Sequence, residues 1–207
     1  MKRLIALVFA ATGVPLLIGA VGYYNGQTLT DGGWEDLRFS STALRPNDSN
    51  PPDWVQIGST GLYAFAFDSS TDESLHLNIQ FPHSMCFDEI RPHFHWSPTT
   101  TATGNVKMCF EYSFAEIGDA FPTTSTTVCT AEVPTDEVAY KHHIDSTTAI
   151  DLSGVSTVSS MMIGRVYRET DGITSGYGAD IIIEEFDIHY KICRNGSYEE
   201  VTLQPEE

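Results

Sequence analysis

Basic residues are scarce in this chain. Its 207 residues include 11 Lys and Arg against 28 Asp and Glu, which gives a formal net charge of −17. Because a chain with this balance is repelled by phosphate backbones, the charge argues against nucleic acid as a partner. An acidic surface also favours solubility and resists nonspecific association. We therefore expect a soluble protein with no nucleic-acid partner.

The signatures of common catalytic sites are missing as well. No Gly-x-Ser-x-Gly elbow occurs, and the glycine-rich stretch from Gly172 to Gly178 lacks the lysine of a phosphate-binding loop. The adjacent Glu184 and Glu185 would lie on opposite faces of a strand, which does not suit the paired carboxylates of a glycosidase. We expect no catalytic residues and no cofactor.

The four cysteines form no Cys-x-x-Cys pair, which excludes zinc-ribbon and thioredoxin-like sites. They are Cys86, Cys109, Cys129 and Cys193. Isolated buried thiols are the simpler interpretation, because a free cysteine behaves as a small core hydrophobe. In an oxidising compartment, Cys109 and Cys129 are candidates for a disulfide between neighbouring strands.

A segment without charge, residues 4–24, follows Lys2 and Arg3. The basic start, the apolar run and the small residues Ala20 and Gly22 are typical of a secretory signal peptide. The run is also long enough to span a bilayer as a helix, which would bring membrane contact. Burial in an assembly is a third interpretation. A cleaved leader, a membrane anchor and a buried arm all stay open.

Period-two alternation dominates the rest of the chain and predicts β-strands. Leu75, Leu77, Ile79 and Phe81 alternate with polar residues, as do the apolar residues of 106–114. Further candidate strands are residues 63–67, 90–97, 126–133, 137–144, 161–168 and 179–193. About eight strands at this spacing predict an all-β fold, an antiparallel β-sandwich of jelly-roll type with an extended N-terminal arm.

Three regions follow from this pattern. Residues 1–24 are the apolar N-terminal segment, and residues 61–207 are the jelly-roll sandwich. Between them, residues 25–60 are rich in Gly, Asn, Asp, Ser and Pro, which predicts an extended arm. Its anchors are Trp34, Phe39 and Trp54, which we expect to pack on the sandwich or on a neighbouring subunit.

Two predicted strands carry imidazoles and charges beside aromatic residues. Arg91, His93 and His95 share one face of residues 90–97, and Asp187 and His189 share one face of residues 179–193. If the strands are neighbours, these faces form an Arg–His–Asp cluster. A His-x-His pair suggests comparison with the metal-binding cupins, but here no carboxylate follows closely. We therefore expect no bound metal and a hydrogen-bonded structural cluster.

Charged residues occupy strands that are otherwise built for a core. They are Arg91, Arg165, Arg168, Asp180 and Asp187. Because buried charges are costly unless paired, we expect some to pair at the ends of the sandwich or across subunits. The hypothesis is a symmetric homo-oligomer, with a trimer as the first choice.

Five segments together resemble a family of virion structural proteins of tailed bacteriophages. They are Trp34-Glu-Asp-Leu-Arg-Phe39, Phe81-Pro-His83, Arg91-Pro-His-Phe-His-Trp-Ser-Pro98, Gly164-Arg-Val-Tyr-Arg168 and the stretch from Asp180 to Tyr190 with its Phe-Asp-Ile-His-Tyr end. Gly196-Ser197 also fits the pattern. The resemblance covers residues 34–200 and implies a single β-sandwich without enzymatic activity, whereas the charge-free segment departs from it.

The resulting hypothesis is a non-enzymatic component of a phage virion, a capsid decoration or cement protein or a tail-associated protein. Its partners would be other copies of itself and the major capsid or tail proteins. The alternative is an exported or cell-surface β-sandwich that binds carbohydrate or protein. Cleavage of the N-terminal segment would favour that alternative.

Overall fold

The computed structural model describes residues 33–193 and the backbone of two short strands that precede them. These strands, β1 (Tyr23–Tyr24) and β2 (Gln27–Thr28), pair antiparallel and belong to a separate unit, residues 1–31. Most of the charge-free segment and the residues after 193 lie outside the described part. Within the described part, no helix has the length and apolarity needed to cross a membrane.

The other strands of the described residues pair antiparallel. They are β3 (Trp34–Ser40), β4 (Arg45–Pro46), β5 (Asp53–Gln56), β6 (Tyr63–Phe67), β7 (Ser74–Gln80), β8 (Met85–Pro98), β9 (Asn105–Val106), β10 (Met108–Ala115), β11 (Thr126–Cys129), β12 (Val133–Pro134), β13 (His143–Ser146), β14 (Ile150–Asp151), β15 (Met161–Arg168) and β16 (Ile181–Ile192). A 3₁₀ turn, Ser41–Ala43, separates β3 from β4.

Two sheets face each other. The larger sheet has the order β13-β8-β16-β6-β5, with β14 also paired to β8 and β3 also paired to β16. The smaller sheet has the order β11-β10-β15-β7-β4, and β9 and β12 form a short separate pair. The predicted all-β, antiparallel sandwich of jelly-roll type is therefore confirmed.

Aromatic side chains join the sheets. Phe186 of β16 packs on Phe94 of β8 with ring centres 5.2 Å apart, and on Phe110 of β10 in the other sheet at 4.9 Å. All three are fully buried. Alternation along each strand points these rings inward and the intervening polar residues outward. Polar side chains therefore lie together on the outer faces of the sheets.

Gly164 of β15 lies where the backbone allows no side chain. A Cβ at this position would lie 2.8 Å from the carbonyl oxygen of Glu111 and would also overlap the ring of Phe110. The glycine lets β15 pack closely against β10, with which it pairs along its whole length.

All four cysteines are paired, so the interpretation as isolated thiols is wrong. Cys109 and Cys129 are register partners on β10 and β11 and form one disulfide. Cys86, near the start of β8, bonds Cys193, just after β16. Strands adjacent in the sheet bring these positions together although 107 residues separate the second pair.

The described part of residues 25–60, predicted as an arm, supplies strands to both sheets. β3 pairs with β16 over seven positions, and β5 pairs with β6. In the smaller sheet, β4 pairs with β7. Backbone hydrogen bonding thus joins this region to the sandwich edge.

One predicted strand is shorter than expected. Of residues 137–144 only the last two belong to β13, which begins at His143. Glu137 and Tyr140 have φ angles of 56° and 60°, a left-handed conformation that ends an extended strand. Turn geometry therefore overrides the β-propensity of this segment.

Candidate functional site on the outer face of the larger sheet

Strands β3, β16 and β8 lie side by side and present polar residues on the outer face of the larger sheet. In the register of β16 and β8, Asp187 is opposite His93 and His189 is opposite Arg91. On the other side of β16, His189 is opposite Asp36 of β3. Folding thus joins three segments that are far apart in the sequence.

Asp187 is the centre of this face. Its Oδ2 accepts a hydrogen bond from His95 Nε2 at 2.8 Å, and its Oδ1 lies 3.4 Å from Nδ1 of His93. The ring of His189 is 4.0 Å from that of His93, and its Nε2 contacts Oδ1 of Asp36. Asp187 is 2% exposed and His93 7% exposed, so both side chains are largely buried.

Two atoms at the centre lack hydrogen bonds. In the described residues, three buried side-chain atoms have no hydrogen-bond partner: Nδ1 of His93, Oδ1 of Asp187 and Nε2 of His143. The first two face each other at 3.4 Å, beyond the usual range for an N–H···O bond. An unpartnered buried polar group costs about 1–3 kcal/mol, so these two atoms are a local cost to stability.

Asp187 is an ionised acceptor at neutral pH. Burial acts to raise the pKa of its carboxyl, but the contacts with His93 and His95 outweigh burial, and the net pKa lies below the usual value. His95 links the centre outward, because its Nδ1 lies 2.9 Å from Nε2 of His142 and the two rings stack. A carboxylate and imidazoles therefore share one small volume.

A β-bulge in β16 brings two carboxylates, those of Glu184 and Glu185, to the outer face of the larger sheet. The register of β16 and β8 shifts between Ile183 and Glu185, so Glu184 is the extra residue. Glu184 contacts Ser97 and lies 3.7 Å from His142, and Glu185 accepts two hydrogen bonds from Arg38. Both glutamates thus contact outer-face residues, and the expectation of opposite faces is wrong.

The sequence contained a signal for this bulge. Ile182, Phe186, Ile188 and Tyr190 are apolar at even positions, but the acidic Glu184 interrupts this series, and Ile181 and Ile183 at odd positions are buried as well. A change of parity inside one strand indicates an inserted residue. His142 and Asp36, which also contact the cluster, had no comparable signal because they lie on other segments.

A pocket of about 480 Å³ adjoins the cluster. Its lining consists of Trp34, Arg91, His93, Ser146, Thr147, Ala149 and His189. Trp34 is 44% exposed, with the Arg91 guanidinium 4.9 Å and the Lys191 ammonium 5.3 Å from its ring centre. The pocket therefore combines an aromatic side chain, the Arg91 cation and two imidazoles of the cluster.

Arg165 lies apart from this cluster, in the smaller sheet. Its Nε donates to Glu111 at 2.7 Å, and its guanidinium lies 4.6 Å from the ring centre of Tyr167. Arg91 likewise pairs with Glu89 of its own strand. Because these charges find partners within one chain, they give no reason of their own for a subunit contact.

Arg168 and Asp180 form a third location at one end of β15. Arg168 is buried and donates to the backbone carbonyls of Ala179 and Tyr177. Burial raises the pKa of Asp180, an effect that the charge of Asp68 increases and that of Arg168 opposes. Arg168 thus fastens the loop before β16, and neither Arg168 nor Asp180 joins the outer-face cluster.

The three predicted anchors occupy different places. Trp34 lines the outer-face pocket, whereas Phe39 packs against the core ring of Phe186 at 6.3 Å. Trp54 lies on the edge strand β5 beside Tyr63 and Phe65, and is 51% exposed. Each contacts the sandwich of its own chain.

No family model matches the chain, and no curated protein matches it. Solved structures with related folds include CBM35 from Cellvibrio japonicus Abf62, at 13% identity and a TM-score of 0.43, covering 79% of this chain and 99% of that one. Tailspike protein 4 of bacteriophage CBA120 aligns at 9% identity and a TM-score of 0.34, covering 79% of this chain and 20% of that one. Neither similarity carries a functional argument.

Proposed function

We propose that this chain is a non-enzymatic structural component of a phage virion, a capsid decoration or cement protein or a tail-associated protein. One observation supports the proposal above the others. Three of the segments that resemble virion proteins, 34–39, 91–98 and 180–190, form the adjacent strands β3, β8 and β16. The resemblance therefore follows a coherent structural unit rather than scattered matches.

The disulfides support a location outside a reducing cytosol. Each sheet holds one, Cys86–Cys193 in the larger and Cys109–Cys129 in the smaller. Disulfides persist on virion and cell surfaces and in secreted proteins. The net charge of −17 keeps such a protein soluble at the high local concentration of an assembling particle.

Particle composition tests this proposal. Phage particles from the source culture are banded on a density gradient, stripped of loosely bound protein and analysed by quantitative mass spectrometry. We expect peptides of residues 33–193 at a fixed ratio to the major capsid or tail protein. Peptides found only in the host envelope or the medium would contradict a virion role.

Assembly as a symmetric homo-oligomer, with a trimer as the first choice, is a separate part of the proposal. Light scattering at micromolar concentration measures it directly, and a monomer would refute it. A deletion of residues 1–32 tests the N-terminal segment without removing strand β3, which begins at Trp34. Loss of incorporation into particles with a folded sandwich would assign assembly to that segment.

The second candidate is an exported or cell-surface β-sandwich that binds carbohydrate. The specific observation is the pocket around Trp34, where an exposed aromatic ring lies beside Arg91, Ser146 and His189. Ligand sites commonly combine an aromatic surface with a few converging polar groups. Affinity electrophoresis against a polysaccharide panel tests it, with Trp34→Ala expected to abolish retardation.

Trp54→Ala is the matched control for this second candidate, because Trp54 is a similarly exposed tryptophan outside the pocket. Retardation should survive this substitution. Equal loss in both variants would move the binding site away from the outer face, and no retardation by any polysaccharide would exclude the candidate.

A further inference from the structure

We propose that His93, Asp187 and His189 form a binding site for one divalent transition-metal ion, with zinc the first ion to test. The proposal is independent of the virion role. It reverses the sequence-based expectation of no metal, which depended on the missing carboxylate after His-x-His. In the folded chain that carboxylate comes from β16, the strand paired with β8.

The spacing of the donor atoms fits such an ion. Zinc lies about 2.0–2.2 Å from imidazole nitrogen and carboxylate oxygen in a tetrahedron, which sets donor atoms roughly 3.3–3.5 Å apart. Nδ1 of His93 and Oδ1 of Asp187 are 3.4 Å apart. One donor atom from each of the three residues lies within 4.8 Å of the others, so a small movement of His189 completes the set.

The unpartnered atoms point to an ion rather than to a closed hydrogen-bond network. The same two atoms, His93 Nδ1 and Asp187 Oδ1, are buried and without hydrogen bonds. A metal ion bound between them satisfies both lone pairs at once, and its charge is offset by the carboxylate. Imidazole and carboxylate donors together suit zinc and neighbouring first-row ions.

Neighbouring residues hold the ligands in orientation. His95 donates to the second oxygen of Asp187, and Asp36 contacts Nε2 of His189. Metal ligands in proteins commonly have such outer partners, which fix the ring tautomer and the carboxylate rotation. The site is therefore preorganised by strands β3, β8 and β16.

A competing triad shares Asp187 and includes His95 and Glu185. Its donors already have partners. Arg38 donates to both oxygens of Glu185 at 2.7 and 2.9 Å, and both ring nitrogens of His95 have contacts. A metal there would have to break these bonds, so His93, Asp187 and His189 form the favoured set.

The pocket gives the ion access to solvent. His93 and His189 both line its 480 Å³, so three protein ligands leave a coordination position facing the pocket. An exchangeable water or a ligand group is the natural fourth donor. The structure thus assigns a three-ligand site open on one side.

The experiment uses the full chain, purified with intact disulfides and dialysed against chelator. Isothermal titration with Zn²⁺ is expected to show one ion per chain, and Co²⁺ should give the visible absorption bands of a tetrahedral site. Asp187→Asn and His189→Gln should each weaken Zn²⁺ binding by at least about 10-fold. Far-ultraviolet circular dichroism confirms that both variants remain folded.

Two controls separate this site from others. His76→Ala removes an imidazole from β7, in the smaller sheet, and should leave the affinity unchanged. Glu185→Gln tests the competing triad and should also leave it unchanged. Absence of stoichiometric binding to the wild type would overturn the proposal. Undiminished binding in His189→Gln, or loss in Glu185→Gln alone, would overturn it as well.

Discussion

The outer faces of the two sheets carry charged residues in different ways. In the smaller sheet, Arg165 and Glu111 are register partners joined at 2.7 Å, with side chains 34% and 26% exposed. In the larger sheet, the side chains of His93 and Asp187 are 8% and 3% exposed, with their facing atoms unpartnered. The charges of the first arrangement are paired within the chain, whereas two facing polar atoms of the second have no hydrogen bond.

Charged residues on core strands therefore have two different roles in this protein, a surface ion pair in the smaller sheet and a buried polar cluster in the larger one. Arg165 and Asp187 were both predicted as charges on strands built for a core, which should be paired. A half-exposed ion pair contributes little stability and creates no site. Burial together with missing hydrogen bonds is what distinguishes the larger sheet, and it depends on residues from three strands.

The largest effect should come from the disulfide of each sheet. Cys86–Cys193 closes a span of 107 residues and Cys109–Cys129 a span of 20. Because the entropy removed from the unfolded chain grows with loop length, their loss should cost about 4.7 and about 3 kcal/mol, respectively. Urea unfolding of Cys86→Ala/Cys193→Ala and Cys109→Ala/Cys129→Ala, each with the other bond intact, measures both. A larger loss of stability from removing Cys109–Cys129 would show that loop length does not determine which disulfide stabilises the protein more.

The second prediction compares the two outer faces directly. Asp187→Ala removes the acceptor of His95 and the carboxylate that faces the buried His93, which should lower the free energy of unfolding by about 1–3 kcal/mol. Glu111→Ala in the smaller sheet should cost no more than about 1 kcal/mol, because solvent screens the partly exposed Arg165. Chemical denaturation in metal-free buffer measures the pair. Equal losses would refute the distinction drawn between the sheets.

The third prediction concerns how tightly β15 packs in the smaller sheet. Gly164→Ala should cost about 1–3 kcal/mol, because its Cβ meets a backbone oxygen that cannot rotate away. Gly154→Ala is the matched control, since a Cβ there meets nothing within 4 Å. Thermal unfolding of both variants tests the point. A Gly164→Ala protein as stable as the control would show that β10 can move away from β15.

Local patterns were sufficient to predict the fold class. The alternation of Leu75, Leu77 and Ile79 recurs as a strand with those residues buried, because side-chain period is a property of neighbouring residues. Pairing between distant strands, in contrast, does not follow from neighbouring residues. Placing Asp187 beside His93 requires the register of β16 and β8, which no short stretch of sequence specifies.

The polar site was therefore predictable only in part. Arg91, His93, Asp187 and His189 do meet on one face, but Arg165, Arg168 and Asp180 lie elsewhere. Charge on a core strand indicated that a partner exists without indicating which one. Arg168 illustrates this limit, because its partners are backbone carbonyls, which have no sequence signature.

The smallest expected effect is the pH dependence that Glu111 contributes in the smaller sheet. A hydrogen bond from Ser125 lowers the pKa of Glu111, burial opposes this, and the bond and charge of Arg165 lower it further, for a net decrease. Since the folded state favours the ionised form, the stabilisation is complete above the ordinary value of 4.5 and is lost as the pH falls. The difference in unfolding free energy between wild type and Glu111→Gln isolates it from other carboxyls. That difference should shrink by up to about 1 kcal/mol between roughly pH 6 and pH 3. If the difference in unfolding free energy stays constant with pH, ionisation of Glu111 does not stabilise the folded state. The contact between Glu111 and Arg165 would then contribute through packing alone.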